Sequence, residues 1–159
     1  MFALEYEHDE RCTMKNGYRY FLSIPTRWKD NDVFGHVNNV EYYSYVDTVI
    51  TSFLVRIGGL DIHRGPLVPL CAESHCTFKR EISYPDTVEA GLRVVHIGRS
   101  SVRYEIGLFR EGESETAADA WFVHVFVGRD DRKPQALPGA LRQALESIKT
   151  VETPPPPHS

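Results

Sequence analysis

From Tyr18 to Trp28 the chain reads YRYFLSIPTRW, an alternating run rich in aromatic and β-branched residues and of strand length. Pro25 inside it has no backbone N–H to give a neighbour, which predicts a sheet edge or a bulge there. From Asn39 to Ile57 the period changes. Val40, Tyr43, Val46, Val49, Ile50, Phe53, Leu54 and Ile57 recur at three- and four-residue intervals, predicting an amphipathic helix of about five turns. Gly58-Gly59 ends it, because glycine takes the left-handed conformation that closes a helix.

Four strand-length runs follow, over 67–81, 86–97, 101–110 and 115–127. Their separators, Ser83-Tyr84-Pro85-Asp86, Gly98-Arg99-Ser100 and Glu111-Gly112-Glu113-Ser114, are short and turn-rich, which predicts antiparallel neighbours in a meander. Val88, Ala90, Leu92 and Val94 share one face, as do Val102, Tyr104, Ile106 and Leu108, so each strand offers an apolar side for the long helix to cover. Pro138 to Lys149 predicts a short closing helix with Leu141, Leu145 and Ile148 on its apolar side. The expected fold is α+β: one long helix wrapped by a curved antiparallel sheet of about five strands. The domain spans 17–150, preceded by a charged arm over 1–16 and followed over 151–159 by a proline-rich tail, expected to be disordered and extended, whose four consecutive prolines can neither continue a helix nor join a central strand.

Length and composition, 159 residues and 42% hydrophobic, suit a single domain. A formal charge of -4 supplies no long-range attraction for nucleic acid or an anionic membrane. The three cysteines, Cys12, Cys71 and Cys76, are odd in number and lack CxxC spacing, which argues for reduced thiols rather than a disulfide framework or zinc knuckle. No stretch approaches the ~20 apolar residues of a membrane span, and no basic segment leads into an apolar run at the start. The expectation is a cytoplasmic protein without membrane insertion.

Between the first strand and the long helix lies RWKDNDVFGHVNN, Arg27 to Asn39, which gathers two carboxylates, an imidazole, a glycine and a closing pair of amides. Asn38 or Asn39 can cap the helix, and Asn38 with Glu41 has the spacing of a capping box. The first backbone N–H groups of that helix lack helical partners and carry the positive end of its dipole, so a carbonyl oxygen docked on them is polarised. Asp32, in a loop tightened by Gly35, can serve as general base toward water or as a nucleophile, while the helix amides hold the developing oxyanion. That pairing suits acyl transfer. His36 can orient a water or bond the backbone, and Asn38 or Asn39 can supply a neutral donor. The same residue types also favour tight loops and caps for purely local reasons, and Asp30 and Asn38 are assigned to that structural role.

The run Asp30-Asn31-Asp32, Val33-Phe34, Gly35, His36-Val37-Asn38-Asn39, with Tyr42 in the helix, resembles the hotdog-fold thioesterases, in particular the 4-hydroxybenzoyl-CoA thioesterase-like branch. The plant acyl-carrier-protein thioesterases look similar through the same HVNN run. The resemblance holds at motif strength from about Tyr18 through Ile57, and by element order to about Val127. It implies that Asp32 is the catalytic carboxylate and that the backbone N–H of Asn39 polarises the thioester carbonyl. It also implies that His36 matches the site histidine of the plant enzymes, whose further catalytic asparagine falls here on Phe34. It implies an acyl-CoA substrate, no cofactor, and edge-to-edge assembly into a homodimer or homotetramer with the site at the subunit interface. Gly98-Arg99-Ser100-Ser101-Val102-Arg103 resembles the segment that lies by the CoA in these enzymes, which makes Arg99, Ser100 and Arg103 candidate phosphate contacts; an ordinary turn with solvated arginines has the same composition. Lys79 and Arg80 are weaker candidates. Gly35 and Tyr42 complete the substrate-binding set.

Other residues invite separate readings. Cys71, Glu73 and His75 alternate along one run and so share a face, which formally permits a metal or a Cys-His pair, though no second ligand cluster completes it and no metal is expected. Glu73 is a candidate for the cleft edge. His124 and His96 read as core or interface histidines, Tyr42, Tyr43 and Tyr45 as core aromatics that can line an acyl pocket, and Asp47 as an interface or supporting carboxylate or a solvated charge. The leading expectation is acyl-CoA hydrolysis. A hotdog hydratase or dehydratase and a non-catalytic acyl-thioester binding protein remain as alternatives, and the acyl group and the choice between nucleophile and base stay open.

Overall fold

The computed structural model describes residues 15–150; most of the charged arm, with Cys12, and the proline-rich tail lie outside them. Strand β1 (Tyr20–Pro25) leads through a 3-10 turn, Trp28–Asp30, to helix α1 (Asn39–Arg56). Strands β2 (Leu67–Phe78), β3 (Thr87–Ile97), β4 (Ser101–Arg110) and β5 (Ala118–Gly128) follow, and helix α2 (Gly139–Ser147) closes the chain.

Helix α1 buries Tyr42, Tyr45, Val46, Val49, Ile50, Phe53 and Leu54, an unbroken alternation of three- and one-residue steps. This face is turned from the expected one: Val40, Tyr43 and Ile57 are exposed, while Tyr42 and Tyr45 go inside. Three tyrosines within four positions fit either face, and the hydroxyl of Tyr45 finds a buried acceptor only on the face adopted. At the helix end the amide of Gly58 donates to Phe53 O and that of Leu60 to Leu54 O, with Gly59 at φ 70°, the left-handed turn expected of the glycine pair.

The five strands form one antiparallel sheet in the order β1-β3-β4-β5-β2. Pro25 does end an edge strand, opposite Thr87. The expected sequential meander is corrected at one step: β2 pairs with β5 at the far edge, not with β3. The segment between them is therefore a crossover, and Ser83–Asp86 is a turn within it, closed by the amide of Asp86 on Ser83 O. What overrides the hairpin is burial, because Ile82 is fully inaccessible and its carbonyl accepts the amide of Val37 at 2.7 Å.

On the helix side the sheet contributes Val88, Ala90, Leu92, Val94, Val102, Tyr104, Ile106 and Leu108, all with no exposure. Two bulges correct sequence-based faces. A register shift between Cys71 and Glu73 puts Cys71 opposite His124, while His75 lies opposite Trp121 on the other face, so the three candidate ligands do not share a side. A second shift, between Val94 and His96, leaves His96 exposed rather than buried. His124 does sit in the core, 3.2 Å from the Tyr104 hydroxyl, and burial pushes its imidazole down to about 4, so it is neutral at ordinary pH.

On the opposite face Gly91 and Gly107 are paired across β3 and β4, and the two together open a slot filled by Tyr18. The Tyr18 ring stands edge-on to Phe109, with the Arg93 guanidinium 5.0 Å from its centroid. A Cβ at Gly107 would fall 2.6 Å from that ring. Gly107→Ala is expected to lower unfolding free energy by about 1–3 kcal/mol, read as a shift in urea midpoint. An unshifted midpoint would mean that Tyr18 swings clear without loss.

Candidate active site

The loop is anchored by the carboxylate that sequence reasoning assigns to local structure. Asp30 is 1% exposed. Its oxygens accept from the Arg27 backbone N–H at 2.9 Å, Arg27 Nε at 3.0 Å and the Tyr45 hydroxyl at 2.8 Å, and its carbonyl accepts the Asn38 N–H at 2.8 Å. Burial pushes this carboxyl up, but the Arg27 backbone, the Tyr45 hydroxyl and the Arg27 guanidinium together outweigh it and hold it below the usual carboxylate range.

Asp32 closes the tip. Its N–H donates to His36 O at 2.9 Å and its carbonyl accepts the Gly35 N–H at 3.1 Å, with Gly35 at φ 85°, a conformation glycine adopts without penalty. The Asp32 side chain accepts from the Phe34 N–H at 2.9 Å and from Asn38 Nδ2 at 3.3 Å. Asn38 thus does more than cap: its Oδ1 takes the Val40 N–H at 3.0 Å while its Nδ2 holds the carboxylate. The signal was available, since an N-cap asparagine uses only its oxygen on the helix and keeps two donors free. The expected capping box does not form, because the Asn38 N–H is already taken by Asp30 O and Glu41 turns to Arg27 at 3.4 Å. The N–H of Asn39, first in the helix, has no partner among the described residues.

An open cavity of about 370 Å³ brings together Asp32, His36, Asn39, Tyr42, Phe34 and Phe78. Tyr42 is buried and stands perpendicular to Phe78 with centroids 5.0 Å apart; burial raises its phenol, partly opposed by the backbone at Ile82. The crossover supplies the remaining wall with Lys79, Arg80 and Glu81. Glu81 Oε2 lies 3.0 Å from His36 Nε2. Lys79 is paired with Asp119 and Thr116, and Arg80 with Glu113 and Glu115, so both cations already have partners.

Arg99, Ser100 and Arg103 lie elsewhere. Arg99 and Ser100 sit on the turn that joins β3 and β4, and Arg103 follows it in β4, at the end of β3 remote from the cavity, roughly 35 Å along an 11-residue strand. The turn is tied down by Leu137 N–H on Arg99 O, Phe126 N–H on Ser100 O and Arg142 on Gly98 O. Arg103 lies over the Trp121 ring at 4.4 Å, and Trp121 stacks on His75. Asp47 belongs to a separate groove on the outer side of α1, where burial raises its carboxyl. Among the described residues no group of three or more His, Cys, Asp or Glu side chains is placed to hold a metal ion.

Because the folded-state carboxyl of Asp30 is depressed, its contribution to stability is fully present above the unfolded value of about 3.9 and is lost as pH falls through the folded value. Urea midpoints taken from about pH 6 down to about pH 3 should show this acid-side loss in the native protein and a shallower one in Asp30→Asn. Parallel curves would assign the acid sensitivity to other groups.

Residues 26–145 match the Thioesterase-like superfamily. The protein is similar to the PA5185 protein of Pseudomonas aeruginosa strain PAO1, 44% identical over 87% of this chain and 96% of that one, with a TM-score of 0.85. It is also similar to a thioesterase of Thermus thermophilus crystallised with coenzyme A and Zn, at 31% identity over 81% and 98% of the two chains and a TM-score of 0.69. The uncharacterized protein YsmA of Bacillus subtilis strain 168 is 23% identical over 100 residues, 62% of this chain and 67% of YsmA. One long helix against a curved five-stranded antiparallel sheet is the hotdog fold, as the sequence resemblance implied. With the family match spanning the loop, the central helix, strands β2 to β5 and most of the closing helix, the chain belongs to the thioesterase-like superfamily.

Proposed function

We propose that the protein hydrolyses an acyl-CoA thioester to the free acid and CoA. The observation that carries this reading is that a carboxylate, Asp32, and the helix-start residue Asn39, whose amide has no partner among the described residues, line one cavity. A thioester carbonyl oxygen accepting the Asn39 N–H sits at the positive end of α1, where charge developing on that oxygen is stabilised without reorganisation. Asp32 then either takes a proton from water, which adds to the carbonyl carbon, or adds to it directly. In the first route the C–S bond of the water adduct breaks to give the acid; in the second it breaks to leave an acyl-aspartyl anhydride that water hydrolyses to the acid and free Asp32; in both, CoA leaves as the thiol once protonated. In this reading His36, which lines the same cavity and is paired with Glu81, orients the water. Tyr42, Phe34 and Phe78 offer apolar surface to the acyl group, and Gly35 gives the loop its shape. The Thermus thermophilus thioesterase crystallised with coenzyme A supports CoA as the thiol carrier.

The reading extends to assembly. Among the described residues strand β2 is paired on one side only, leaving a sheet edge of the kind proteins cover or pair. Antiparallel pairing of β2 with its copy about a two-fold axis exchanges the two ends of the sheet, which sets the partner's turn over 98–103 toward this cavity. A homodimer, or a pair of dimers, therefore supplies the arginines and serine proposed for the CoA phosphates.

Asp32→Asn is expected to lower kcat/KM for thiol release by about 100-fold or more across a panel of aromatic, short, branched and long acyl-CoAs, with the fold retained by circular dichroism. Unchanged turnover would remove Asp32 from the chemistry. Loss of conjugated absorbance from an enoyl-CoA without free thiol would instead identify a hydratase, and ligand-induced stabilisation with no product would identify a binding protein.

A further inference from the structure

The Asp30 carboxylate does not line the cavity, yet its side chain is fully buried and bonded to more donors than that of Asp32. Burying a charge is costly unless its partners are well placed, so this one is held by a specific geometry. We propose that Asp30 is the positioning residue of the site: a buried clamp that sets the distance between the Asp32 carboxylate and the Asn39 amide. The inference rests on the thioesterase reading of the same cavity.

Three arms reach out from this one residue. Toward the strand, its carboxylate receives the Arg27 backbone N–H and guanidinium, which fixes the 3-10 turn. Toward the helix, it receives the Tyr45 hydroxyl, which comes from the second turn of α1. Toward the cap, its carbonyl receives the Asn38 N–H. Asn38 links the two halves of the site, because it bonds Asp32 through Nδ2, precedes Asn39 in the chain, and caps Val40 through Oδ1. Holding Asn38 by its amide therefore holds base and oxyanion donor in one frame.

The chemistry selects a carboxylate for this place. Backbone N–H, guanidinium and phenol all donate here, and an ionised carboxylate is acceptor-only with about four lone-pair sites. Asparagine at the same position offers one oxygen and turns an NH2 toward donors. Misplacement of reacting groups by about 1 Å costs on the order of 100-fold in rate even when no substrate contact is lost.

The experiment compares Asp30→Asn and Tyr45→Phe with the native protein, using acyl-CoA thiol release per folded site and amide hydrogen exchange. For Asp30→Asn the expected result is a fall in kcat of about 10-fold or more with KM changed by less than about 2-fold, since the residues proposed to meet substrate are untouched. Tyr45→Phe removes one arm while leaving the loop sequence intact, and a smaller fall in kcat is expected. In both variants exchange at the Asn38 amide should accelerate relative to the mid-helix amides of Val46 and Ile50. Lowered stability with kcat and Asn38 exchange both unchanged would overturn the proposal and leave Asp30 a structural residue only. Should Asp30→Asn fail to fold, the Tyr45→Phe result decides by the same criteria. If the native protein releases no thiol from any acyl-CoA, the functional reading fails by itself, and unchanged Asn38 exchange in the variants would separately refute the clamp.

Discussion

A helix cannot satisfy its own first amides, and the arrangement of this protein follows from where α1 leaves them. The Asn38 side chain takes the amide of Val40, and the Asn38 carbonyl takes that of Glu41. The amide of Asn39 has no partner among the described residues, and Asn39 lines the cavity. Because the apolar face of α1 is locked on the sheet through Val46, Val49, Ile50, Phe53 and Leu54, the helix cannot turn to hide that end. Hydrophobic packing thus fixes the direction in which a polar group points, and the helix dipole adds to the amide's pull on any electron-rich oxygen that arrives.

Two carboxylates separated by one residue do opposite things in this frame. Asp30 is saturated by donors, which keep it ionised against the cost of burial, and it is sealed from water and absent from the cavity lining. Asp32 accepts one backbone amide and one side-chain amide, both at its own loop, and retains acceptor capacity on the cavity side. The proposed hydrolysis needs that unused capacity in the group that takes a proton or attacks a carbon, whereas a group that holds a loop does better without it. Sharing Asn38 between them, through its backbone on one side and its amide side chain on the other, couples the rigid carboxylate to the available one.

Much of this was legible in the chain. Helix α1 begins at the residue its period and cap predicted and ends one residue early, β4 has the predicted bounds, and Pro25 marks an edge. These features depend on local pattern, which a sequence carries directly. What was misread depends on partners far away along the chain. The adopted face of α1 followed from Tyr45 meeting Asp30, the bulges at Cys71/Glu73 and Val94/His96 shifted faces that strict alternation could not anticipate, and the role of Asp30 was invisible until Arg27 and Tyr45 surrounded it. Short separators suggested hairpins throughout, and one of them was a crossover.

That crossover shapes the site. With β2 on the far edge, the chain must return past the start of α1 to begin β3, and it carries Glu81 and Ile82 with it. The Ile82 carbonyl holds the Val37 amide just before the helix cap, Ser83 Oγ bonds Gly35 O, and Glu81 meets His36. A tight hairpin between β2 and β3 would have kept all three beside the sheet and left the loop over 31–37 with contacts only to itself and the helix. The stretch from Arg27 to Asn39 is therefore not a self-contained motif grafted onto a fold. Strand order sends a second segment across it, and that segment sets the far wall of the cavity that Asp32 and Asn39 both line.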